Sequence, residues 1–306
     1  YRIESDSMGK VKIPKNSLYG PQTQRAINNF DISNLLMPKE FIISTLLIKK
    51  AAAVANFKLG LIDKKVSTAI TRSVEYLLSN YNQEHFPVDV FQTGSGTSTN
   101  MNVNEVISNI AKIKFKTKVH PNDHVNMSQS SNDVIPTAIN HCAYYLAVTK
   151  LLPSLTILSK DIGIKSKKLN NIVKTGRTHL MDAMPITFGQ ELSGWKAQID
   201  DNIVSLKNCL SRLKRLPIGG TAVGTGINAH KLFTKEFLIA INKGNKVKYI
   251  IKKNKFEGLS SQDDAVLYSS HLKSLAVSLI KISNDLRWMN SGPDSGISDI
   301  TLEALQ

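Results

Sequence analysis

Residues 272–289 read LKSLAVSLIKISNDLRWM, and this stretch decides the fold class. Its apolar residues are spaced alternately by three and four positions: Leu272, Leu275, Leu279, Ile282, Leu286 and Met289. Such spacing places them on one narrow stripe of an α-helix, which is typical of a helix bundle or a coiled coil. We therefore predict a helix over residues 261–290 that packs against other long helices.

A second stripe with nearly the same spacing lies within residues 186–216. Its members are Leu192, Trp195, Ile199, Ile203, Leu206, Leu210 and Leu213. A third helical pattern covers residues 135–169. At 1.5 Å per residue, a helix of ~30 residues is about 45 Å long. A small monomer covers helices of that length poorly, so the pattern predicts oligomerisation through the bundle.

The residues before this bundle have a mixed character. Residues 9–20 resemble turns and short extended pieces, and helices are predicted over 38–59 and 65–78. The segment 80–96 is rich in Asn, Pro, Asp and Gly, which indicates a loop. The predicted fold class is therefore mainly α, with a mixed N-terminal domain (1–132) followed by a long-helix bundle domain (133–306).

Composition excludes several classes of protein. The 306 residues are 42% hydrophobic and 21% charged, as in an ordinary soluble globular chain. The net charge of +15 comes from scattered lysines without interleaved aromatic residues, which favours solvated surface or anionic small molecules over nucleic acid. Polar residues interrupt every long apolar stretch, so we expect no membrane span. Cys142 and Cys209 form no Cys-x-x-Cys pair, which argues against a disulfide framework or a zinc site.

Three polar connections could carry chemistry. Gly-Ser-Gly-Thr at 94–97 suits a carboxylate or phosphate, or it is simply a turn that needs glycine. Ser-Gln-Ser-Ser-Asn-Asp at 128–133 precedes a predicted helix, which Asn132 or Asp133 could cap and whose N-terminus could bind an anion. Gly-Arg-Thr-His at 176–179 places an imidazole, suited to proton transfer or equally to a structural role, just ahead of a predicted helix.

Two further patterns predict no cofactor site. His120 and His124 are four residues apart, but Pro121 disfavours a helix through His120 and no third ligand cluster accompanies them. The glycine-rich segment 219–226 lacks the Gly-Lys-Ser/Thr ending of a phosphate loop and the strand–helix–strand context of a dinucleotide site. A tight connection between helices is the better interpretation of that segment.

Taken together, the motifs resemble those of one family. Four stand in a fixed order: Gly94-Ser-Gly-Thr97, His120-Pro-Asn-Asp123, Ser128-Gln-Ser-Ser-Asn-Asp133 and Gly176-Arg-Thr-His179. Supporting matches are Asp6-Ser-Met-Gly9, Tyr19-Gly-Pro-Gln-Thr-Gln-Arg25, Gly189-Gln-Glu-Leu-Ser-Gly-Trp195, Gly219-Gly-Thr-Ala-Val-Gly-Thr-Gly226 and Asn254-Lys-Phe-Glu257. Over essentially its whole length the chain resembles the fumarase/aspartase superfamily, and within it class II fumarate hydratase.

Two positions select the branch of the superfamily. Aspartases typically carry Gln at the position of His179, and Ser-Thr-Asn where this chain has Ser130-Ser-Asn132. The resemblance therefore implies a fumarate hydratase, a carbon–oxygen lyase of the tricarboxylic acid cycle. Such an enzyme adds water reversibly and in trans to fumarate to give L-malate, with neither a metal nor an organic cofactor.

The resemblance also implies a role for each matching residue. Substrate oxygens would be held by Ser95, Gly96, Thr97, Ser130, Ser131, Asn132 and Thr178. His179 would be catalytic and would handle the water and its proton. His120, Asn122 and Asp123 match the family's second, non-catalytic dicarboxylate site, although Thr117 stands where an arginine often precedes this motif.

One family segment has no counterpart in these 306 residues. The Gly-Ser-Ser-Ile-Met-Pro-Gly-Lys-Val-Asn-Pro loop should follow soon after residues 291–297. In the family it supplies the catalytic serine base and further substrate-binding residues. The resemblance therefore implies a chain truncated before this loop, with an incomplete bundle, and we expect the 306-residue polypeptide alone to be inactive.

The remaining expectations concern partners and location. The resemblance implies a homotetramer whose active sites draw loops from three subunits, in agreement with the long apolar stripes. It implies fumarate and L-malate as partners, no nucleic acid, no membrane, and a cytoplasmic location, or the mitochondrial matrix in a eukaryote. Three alternatives stay open: a sibling lyase that releases ammonia from aspartate, a non-catalytic helical scaffold and, least favoured, a basic nucleic-acid binder, which would require steeply salt-dependent binding.

Overall fold

The structure is a computed structural model that describes residues 1–6 and 8–305. Ser7, which belongs to the Asp6–Gly9 motif, and Gln306 lie outside the described residues. The chain is mainly helical, with 59% of its residues in helices, which confirms the predicted fold class. The sheets in the described part are small, and each contains two strands.

The elements follow one another along the chain without a large sheet. In order they are β1 (Arg2–Asp6), β2 (Gly9–Ile13), α1 (Pro21–Asn29), α2 (Lys39–Lys58), α3 (Lys64–Ser79), α4 (Thr97–Phe115), α5 (Ser131–Leu146), α6 (Leu152–Lys168), β3 (Val173–Thr178), β4 (Met181–Thr187), α7 (Phe188–Leu213), β5 (Arg215–Leu216), α8 (Phe233–Asn242), β6 (Ile250–Ile251), α9 (Lys255–Ser260) and α10 (Asp263–Met289). Short turns of helix occur at Gln83–His85, Pro121–Val125 and Ala147–Leu151.

The chain forms two compact units. The first contains Tyr1–Tyr145 and Leu213–Gln262, and the second contains Leu146–Arg212 and Asp263–Gln306. Each unit is therefore built from two separate stretches of the sequence. The division predicted between residues 132 and 133 rests on the change of sequence character there, and it stays a prediction.

Helices α2 and α3 lie within one residue or two of their predicted bounds. Asp63 caps α3, since its carboxylate accepts a hydrogen bond of 2.7 Å from the Val66 N–H. The apolar face of α2 is buried in the core of the first unit, where Ile42 and Leu46 are almost fully inaccessible. In these two helices the local helix preference of the sequence is consistent with the tertiary packing. The helices could therefore be predicted from the sequence.

The pattern analysis predicts no helix at residues 97–115, where α4 lies. The first half of α4 is rich in Thr, Ser and Asn, which are poor helix formers in isolation. Tertiary contacts overcome this preference. The buried Glu105 carboxylate accepts N–H bonds from Gly20, Gln22 and Thr23 at 2.9 to 3.1 Å, which ties α4 to the start of α1.

The core of the second unit confirms the two predicted apolar stripes. Its buried residues are Leu155, Leu192, Trp195, Ile199, Ile203, Leu206, Leu275, Ile282 and Met289. All except Leu155 belong to the stripes of α7 and α10, and Leu272, Leu279 and Leu286 pack against them. The spacing of three and four therefore does bury one face of each helix, as the knobs-into-holes pattern requires.

One helical stretch departs from the expectation about membranes. Residues 131–168 form a helical stretch long enough to cross a membrane, and an 18-residue window within it has a mean hydropathy of 1.3, which is apolar enough by composition alone. Two of its polar side chains are engaged inside the first unit: Asn140 donates to the Arg215 carbonyl, and the His141 ring contacts the Ser44 hydroxyl, both at 3.0 Å. These contacts favour a structural helix, and the absence of a membrane span stays a prediction.

Candidate active site

The Gly94–Thr97 turn ends at the first residue of α4. Gly96 is the N-cap, and its φ of 65° lies in the left-handed region. A Cβ atom at this position would lie 2.9 Å from the Ile135 side chain, so only glycine fits. The turn thereby places Ser95 and Thr97 side by side, with their hydroxyl oxygens 2.9 Å apart.

The Ser128–Asp133 segment begins α5 with reciprocal capping bonds. The Ser130 hydroxyl accepts the Asn132 N–H at 3.3 Å, and the Ser130 N–H donates to the Asp133 carboxylate at 2.9 Å. The prediction that Asn132 or Asp133 is the N-cap is therefore wrong. Asp133 lies inside the first turn and bonds back to Ser130, which leaves the capping position to the serine.

The fold brings these two motifs together in the first unit. The Thr97 and Ser131 hydroxyls lie 2.8 Å apart. They border a cavity of about 340 Å³ lined by Thr97, Asn100, Met101, Asn126, Gln129, Ser130, Ser131, Thr221, Ala222, Ile227 and Asn228. None of these lining side chains carries a formal charge, and most are hydroxyls or carboxamides. Such a wall can donate hydrogen bonds to a small oxygen-rich molecule.

The glycine-rich segment 219–226 forms part of the same wall. Asn132 donates to the Ala222 carbonyl at 2.7 Å, while the Gly219 and Thr221 N–H groups donate to the buried Asp133 carboxylate at 2.9 and 2.8 Å. From its own pattern this segment is predicted to be a tight connection between helices, and it is also one of the motifs that match the family. Its contribution to the cavity arises from the fold, because Asp133 holds it beside the N-terminus of α5.

Asp133 is the most perturbed carboxyl group at this cavity. Burial raises its pKa to about 6, although three backbone N–H bonds and the nearby Lys49 amine act in the opposite direction. Its oxygens are occupied by the N–H groups of Ser130, Gly219 and Thr221. This carboxylate therefore holds the start of α5 and the segment 219–226 beside each other in the cavity wall.

Thr178 and His179 belong to the second unit, where they lie at the tip of the β3–β4 hairpin. Thr178 pairs with Met181 across the hairpin, and the two tip residues, His179 and Leu180, have φ values of 51° and 61°. Positive φ at both central residues is typical of the tight two-residue hairpin turn that usually contains Asn-Gly. For other residues, such as His179 and Leu180, this backbone conformation is strained. The predicted position of His179 just ahead of a helix is wrong, because strand β4 intervenes before α7.

Ionic contacts fix the base of this hairpin. The Arg177 guanidinium donates to both Asp299 oxygens at 2.6 and 3.2 Å, and the Lys174 amine contacts Glu191 at 2.6 Å and Asp299 at 3.0 Å. The pKa of Asp299 is lowered, because hydrogen bonds from Arg177 and Lys174 outweigh its partial burial. The hairpin that carries Thr178 and His179 is thus tied to the segment that follows α10.

His120 is the N-cap of the turn Pro121–Val125 in the first unit, and this turn contains Asn122 and Asp123. His120 Nδ1 accepts the N–H groups of Asn122 and Asp123 at 3.3 and 3.0 Å, so the ring caps this turn. The same nitrogen lies 3.1 Å from an Asp123 carboxylate oxygen, a contact that becomes an ion pair only in the protonated ring. Within residues 1–6 and 8–305, no three His, Cys, Asp or Glu side chains are grouped to hold a metal ion.

Comparison with known proteins places the chain in a family. Residues 9–306 match the protein family described as Lyase. The whole chain is 50% identical to the class II fumarate hydratase of Xylella fastidiosa and covers 65% of it. It is 49% identical to the protein of Pseudomonas aeruginosa named fumarate hydratase class II 2, covering 67% of that relative. The chain belongs to the class II fumarate hydratase family.

Solved structures agree with this family assignment. The class II fumarase of Schistosoma mansoni matches the whole chain with a TM-score of 0.94 and 38% identity, and the chain covers 68% of it. A fumarate lyase:delta crystallin structure from Brucella melitensis matches with a TM-score of 0.93 and 36% identity. The chain thus has the fumarase fold, and it spans about 65% of the length of the Xylella fastidiosa relative.

Several cavity residues of this family member are not identified by the motif analysis. Asn100, Asn126 and Gln129 line the cavity, and Lys49 lies behind them. One signal for Lys49 is present in the sequence: it falls on the buried stripe of α2, three residues after Leu46 and four before Ala53. A lysine at such a position is rare without a specific partner.

Proposed function

We propose that the protein containing these residues catalyses the reversible trans addition of water to fumarate, giving L-malate, as an enzyme of the tricarboxylic acid cycle. The observation that carries this proposal is the Thr97–Ser131 hydroxyl pair, 2.8 Å apart in a cavity of neutral polar side chains. It occurs in a chain 50% identical over its full length to a class II fumarate hydratase. We take the substrate class, small dicarboxylates, from that relative's name.

The cavity chemistry fits a carboxylate ligand. Ser130 and Ser131 stand at the N-terminus of α5, where the helix dipole favours an anion. Asn132 and Ser95 do not line this cavity, but the Ser95 hydroxyl lies 2.9 Å from that of Thr97, and Asn132 donates to the Ala222 carbonyl in the wall. In dehydration of malate, removal of the C3 proton places charge on the adjacent carboxylate as an aci-carboxylate. Donors fixed before the reaction stabilise that charge more than the charge of the ground state.

The proposed active site also includes two residues of the second unit, Thr178 and His179. Both side chains are exposed at the hairpin tip, so the imidazole is accessible to a substrate. His179 would handle the added water and its proton, and Thr178 would contact substrate oxygens. The serine base that the family places in its C-terminal loop has no match within these residues, so the proposed activity belongs to the whole protein.

We further propose a homotetramer in which each active site receives loops from different subunits. The second unit exposes apolar side chains along its helices, which supports association: Ile157, Ile164, Val204, Val266, Val277 and Ile280. The turn that carries His120, Asn122 and Asp123 would serve as a second dicarboxylate site. The proposed location is the cytoplasm, or the mitochondrial matrix if the source is eukaryotic.

Loss of fumarate absorbance in the ultraviolet tests the activity. We expect turnover when residues 1–306 are joined to the C-terminal portion of a class II relative, and none from residues 1–306 alone. Turnover by residues 1–306 alone would show that the base lies within them and would contradict the assigned roles. Absence of activity in both preparations would favour a non-catalytic scaffold.

The sibling lyase activity is tested on the same joined protein. L-malate should yield fumarate, whereas L-aspartate should yield no fumarate and no ammonia. Production of ammonia from aspartate at a rate comparable with malate dehydration would reassign the reaction to an ammonia-lyase.

A further inference from the structure

Lys49 is a fully buried lysine behind the candidate active site. Its side chain, on α2, has no accessible surface. The amine donates to the Asn126 carboxamide oxygen at 2.8 Å and to the Gln129 carboxamide oxygen at 3.1 Å. A buried ammonium with amide partners is costly to keep in a fold, so it is a candidate for a functional role.

The amine fixes the orientation of the amides around it. Because an ammonium only donates, it must face the oxygen of Asn126 rather than its nitrogen. The same oxygen accepts the side-chain N–H groups of Asn100 at 3.1 Å and Asn104 at 3.3 Å. The hydrogen bonds around Lys49 therefore fix which way three carboxamides face, those of Asn100, Asn126 and Gln129.

These oriented amides form part of the cavity wall. Asn100, Asn126 and Gln129 all line the 340 Å³ cavity, whose lining contains no charged side chain. Among the described residues, the charged group that acts on Lys49 is Asp133. That carboxylate is already compensated by the N–H groups of Ser130, Gly219 and Thr221. The Lys49 amine is thus a charged group placed directly behind two of the neutral lining side chains, Asn126 and Gln129.

We propose that Lys49 is a positioning residue of the active site: through Asn126 and Gln129 it orients the amide wall, and its charge favours a ligand with two carboxylates. This inference rests on the proposed function, which supplies the dicarboxylate. Lys49 itself is not among the residues that line the cavity, whereas both of its carboxamide partners are. Its effect on binding is therefore indirect and electrostatic.

The charge state of Lys49 changes near neutral pH. Burial lowers the pKa of Lys49 to about 7, while Asp133 acts to raise it. Several elements place polar groups around the Lys49 amine. They contribute Asn100 and Asn104 from α4, Asn126 and Gln129 from the segment after Val125, and Asp133, the charged group among them, from α5. Binding of a dianion should be strongest below pH 7 and should weaken as the amine loses its proton above that pH. The carboxyl groups of fumarate titrate near pH 4, so the ligand remains dianionic throughout.

Lys49→Met in the full-length protein, with its C-terminal portion present, tests the proposal. We expect the KM for fumarate to rise about tenfold at pH 6.5, with a smaller change in kcat, and the increase of KM between pH 7 and 8.5 to become smaller than in the wild-type protein. Lys50→Met is the matched control: the neighbouring Lys50 is half-buried, pairs with Glu75 at 2.8 Å and does not line the cavity, so its replacement should leave KM unchanged. A purely structural Lys49 would lower the folded fraction and leave the pH profile of KM intact.

Binding measurements provide a test that needs no Lys49 variant. Calorimetric binding of fumarate to the full-length His179→Asn protein should weaken about tenfold between pH 6 and 8.5. Binding of crotonate, a monoanion with a methyl group in place of one carboxylate, should weaken less. A flat fumarate profile, or equal losses for both ligands, would overturn the proposal. Failure of the wild-type protein to bind or turn over fumarate would instead reject the proposed function.

Discussion

The hydroxyls of Thr97 and Ser131 come from segments 34 residues apart and yet lie 2.8 Å from one another. Each stands at or beside the N-terminus of a helix, α4 for Thr97 and α5 for Ser131. A single hydroxyl that donates to a carboxylate contributes a modest free energy, since water competes for the same bond. In the proposed site the two hydroxyls act together, because each is held at the N-terminus of a helix.

Ser131→Ala removes one of these donors. We expect the KM for fumarate to rise about fivefold in the full-length protein, which corresponds to about 1 kcal/mol. Ser154→Ala is the control, since the Ser154 hydroxyl bonds to the Lys150 carbonyl on an exposed helix face. An unchanged KM in Ser131→Ala would exclude this hydroxyl from the substrate site.

His141 is a buried titratable residue outside the candidate site. Its ring stacks on Tyr249 with centroids 4.6 Å apart, and Nδ1 lies 3.0 Å from the Ser44 hydroxyl. Burial lowers the pKa of His141 to about 4. The folded protein therefore holds the neutral ring in a range of pH where the unfolded chain already binds a proton.

The stability of the first unit should consequently depend on pH. The unfolded imidazole titrates near pH 6.5, so stability is complete above that pH and decreases as the pH falls towards 4, by about 3 kcal/mol. His141→Gln keeps a hydrogen-bonding group beside Ser44 but does not titrate. Urea unfolding at pH 7 and pH 5 should show a smaller acid loss in this variant than in the wild-type protein. Identical losses in both proteins would contradict a neutral buried His141.

At the scale of elements, the β3–β4 hairpin is held by charges rather than by a large apolar core. Lys174 and Arg177 on β3 both contact Asp299, and Lys174 also contacts Glu191 at the start of α7. The Lys174 side chain is only 5% exposed, so loss of a carboxylate partner leaves a poorly solvated charge. The hairpin tip with Thr178 and His179 depends on this arrangement for its position.

Asp299→Asn should destabilise the second unit by about 2 kcal/mol, because the buried amine keeps one carboxylate partner instead of two. Limited proteolysis should then cut the segment after α10 faster than in the wild-type protein. Asp294→Asn changes an exposed residue of the same segment and should alter stability by less than about 0.5 kcal/mol. Equal proteolysis of all three proteins would show that Asp299 does not anchor the segment.

At the scale of the whole molecule, the predicted substrate residues fall into different compact units. Ser95, Gly96, Thr97, Ser130, Ser131 and Asn132 belong to the first unit, and Thr178 and His179 belong to the second. In the proposed tetramer the two groups meet through association of subunits. Exposed apolar side chains on the helices of the second unit, such as Val277 and Ile280, are available for that association.

Mixing two inactive variants tests this assembly. Full-length Ser131→Ala,Asn132→Ala and His179→Asn proteins should each lose most activity. If one site combines residues of different subunits, refolding an equal mixture should restore activity to ~25% of wild type, because about a quarter of the sites receive both intact groups. Each variant refolded alone is the control. A mixture as inactive as its components would place both groups in one subunit.

The helical class and the two apolar stripes are predicted from the sequence alone, because spacing along the chain sets which face of a helix is apolar. The motifs that indicate the family are also visible in the sequence, because each is a short local run of residues. The sequence did not determine α4, whose polar first half becomes helical only when Glu105 and its neighbours are buried. Nor did it determine the hairpin at His179, where β4 separates the motif from α7. Both depend on partners far away in the chain.

The candidate site divides in the same way. Thr97, Ser130 and Ser131 could be named from motifs, because a hydroxyl or a helix cap has a local sequence pattern. Lys49 and Asn100 could not be named in this way, and segment 219–226 could be named as a motif but not as part of the cavity wall. Each reaches the cavity through contacts with residues far away in the sequence. These positions depend on the tertiary structure. Packing removes water from a buried charge and its amide partners, which strengthens their hydrogen bonds and makes their arrangement specific, and no local sequence pattern shows this.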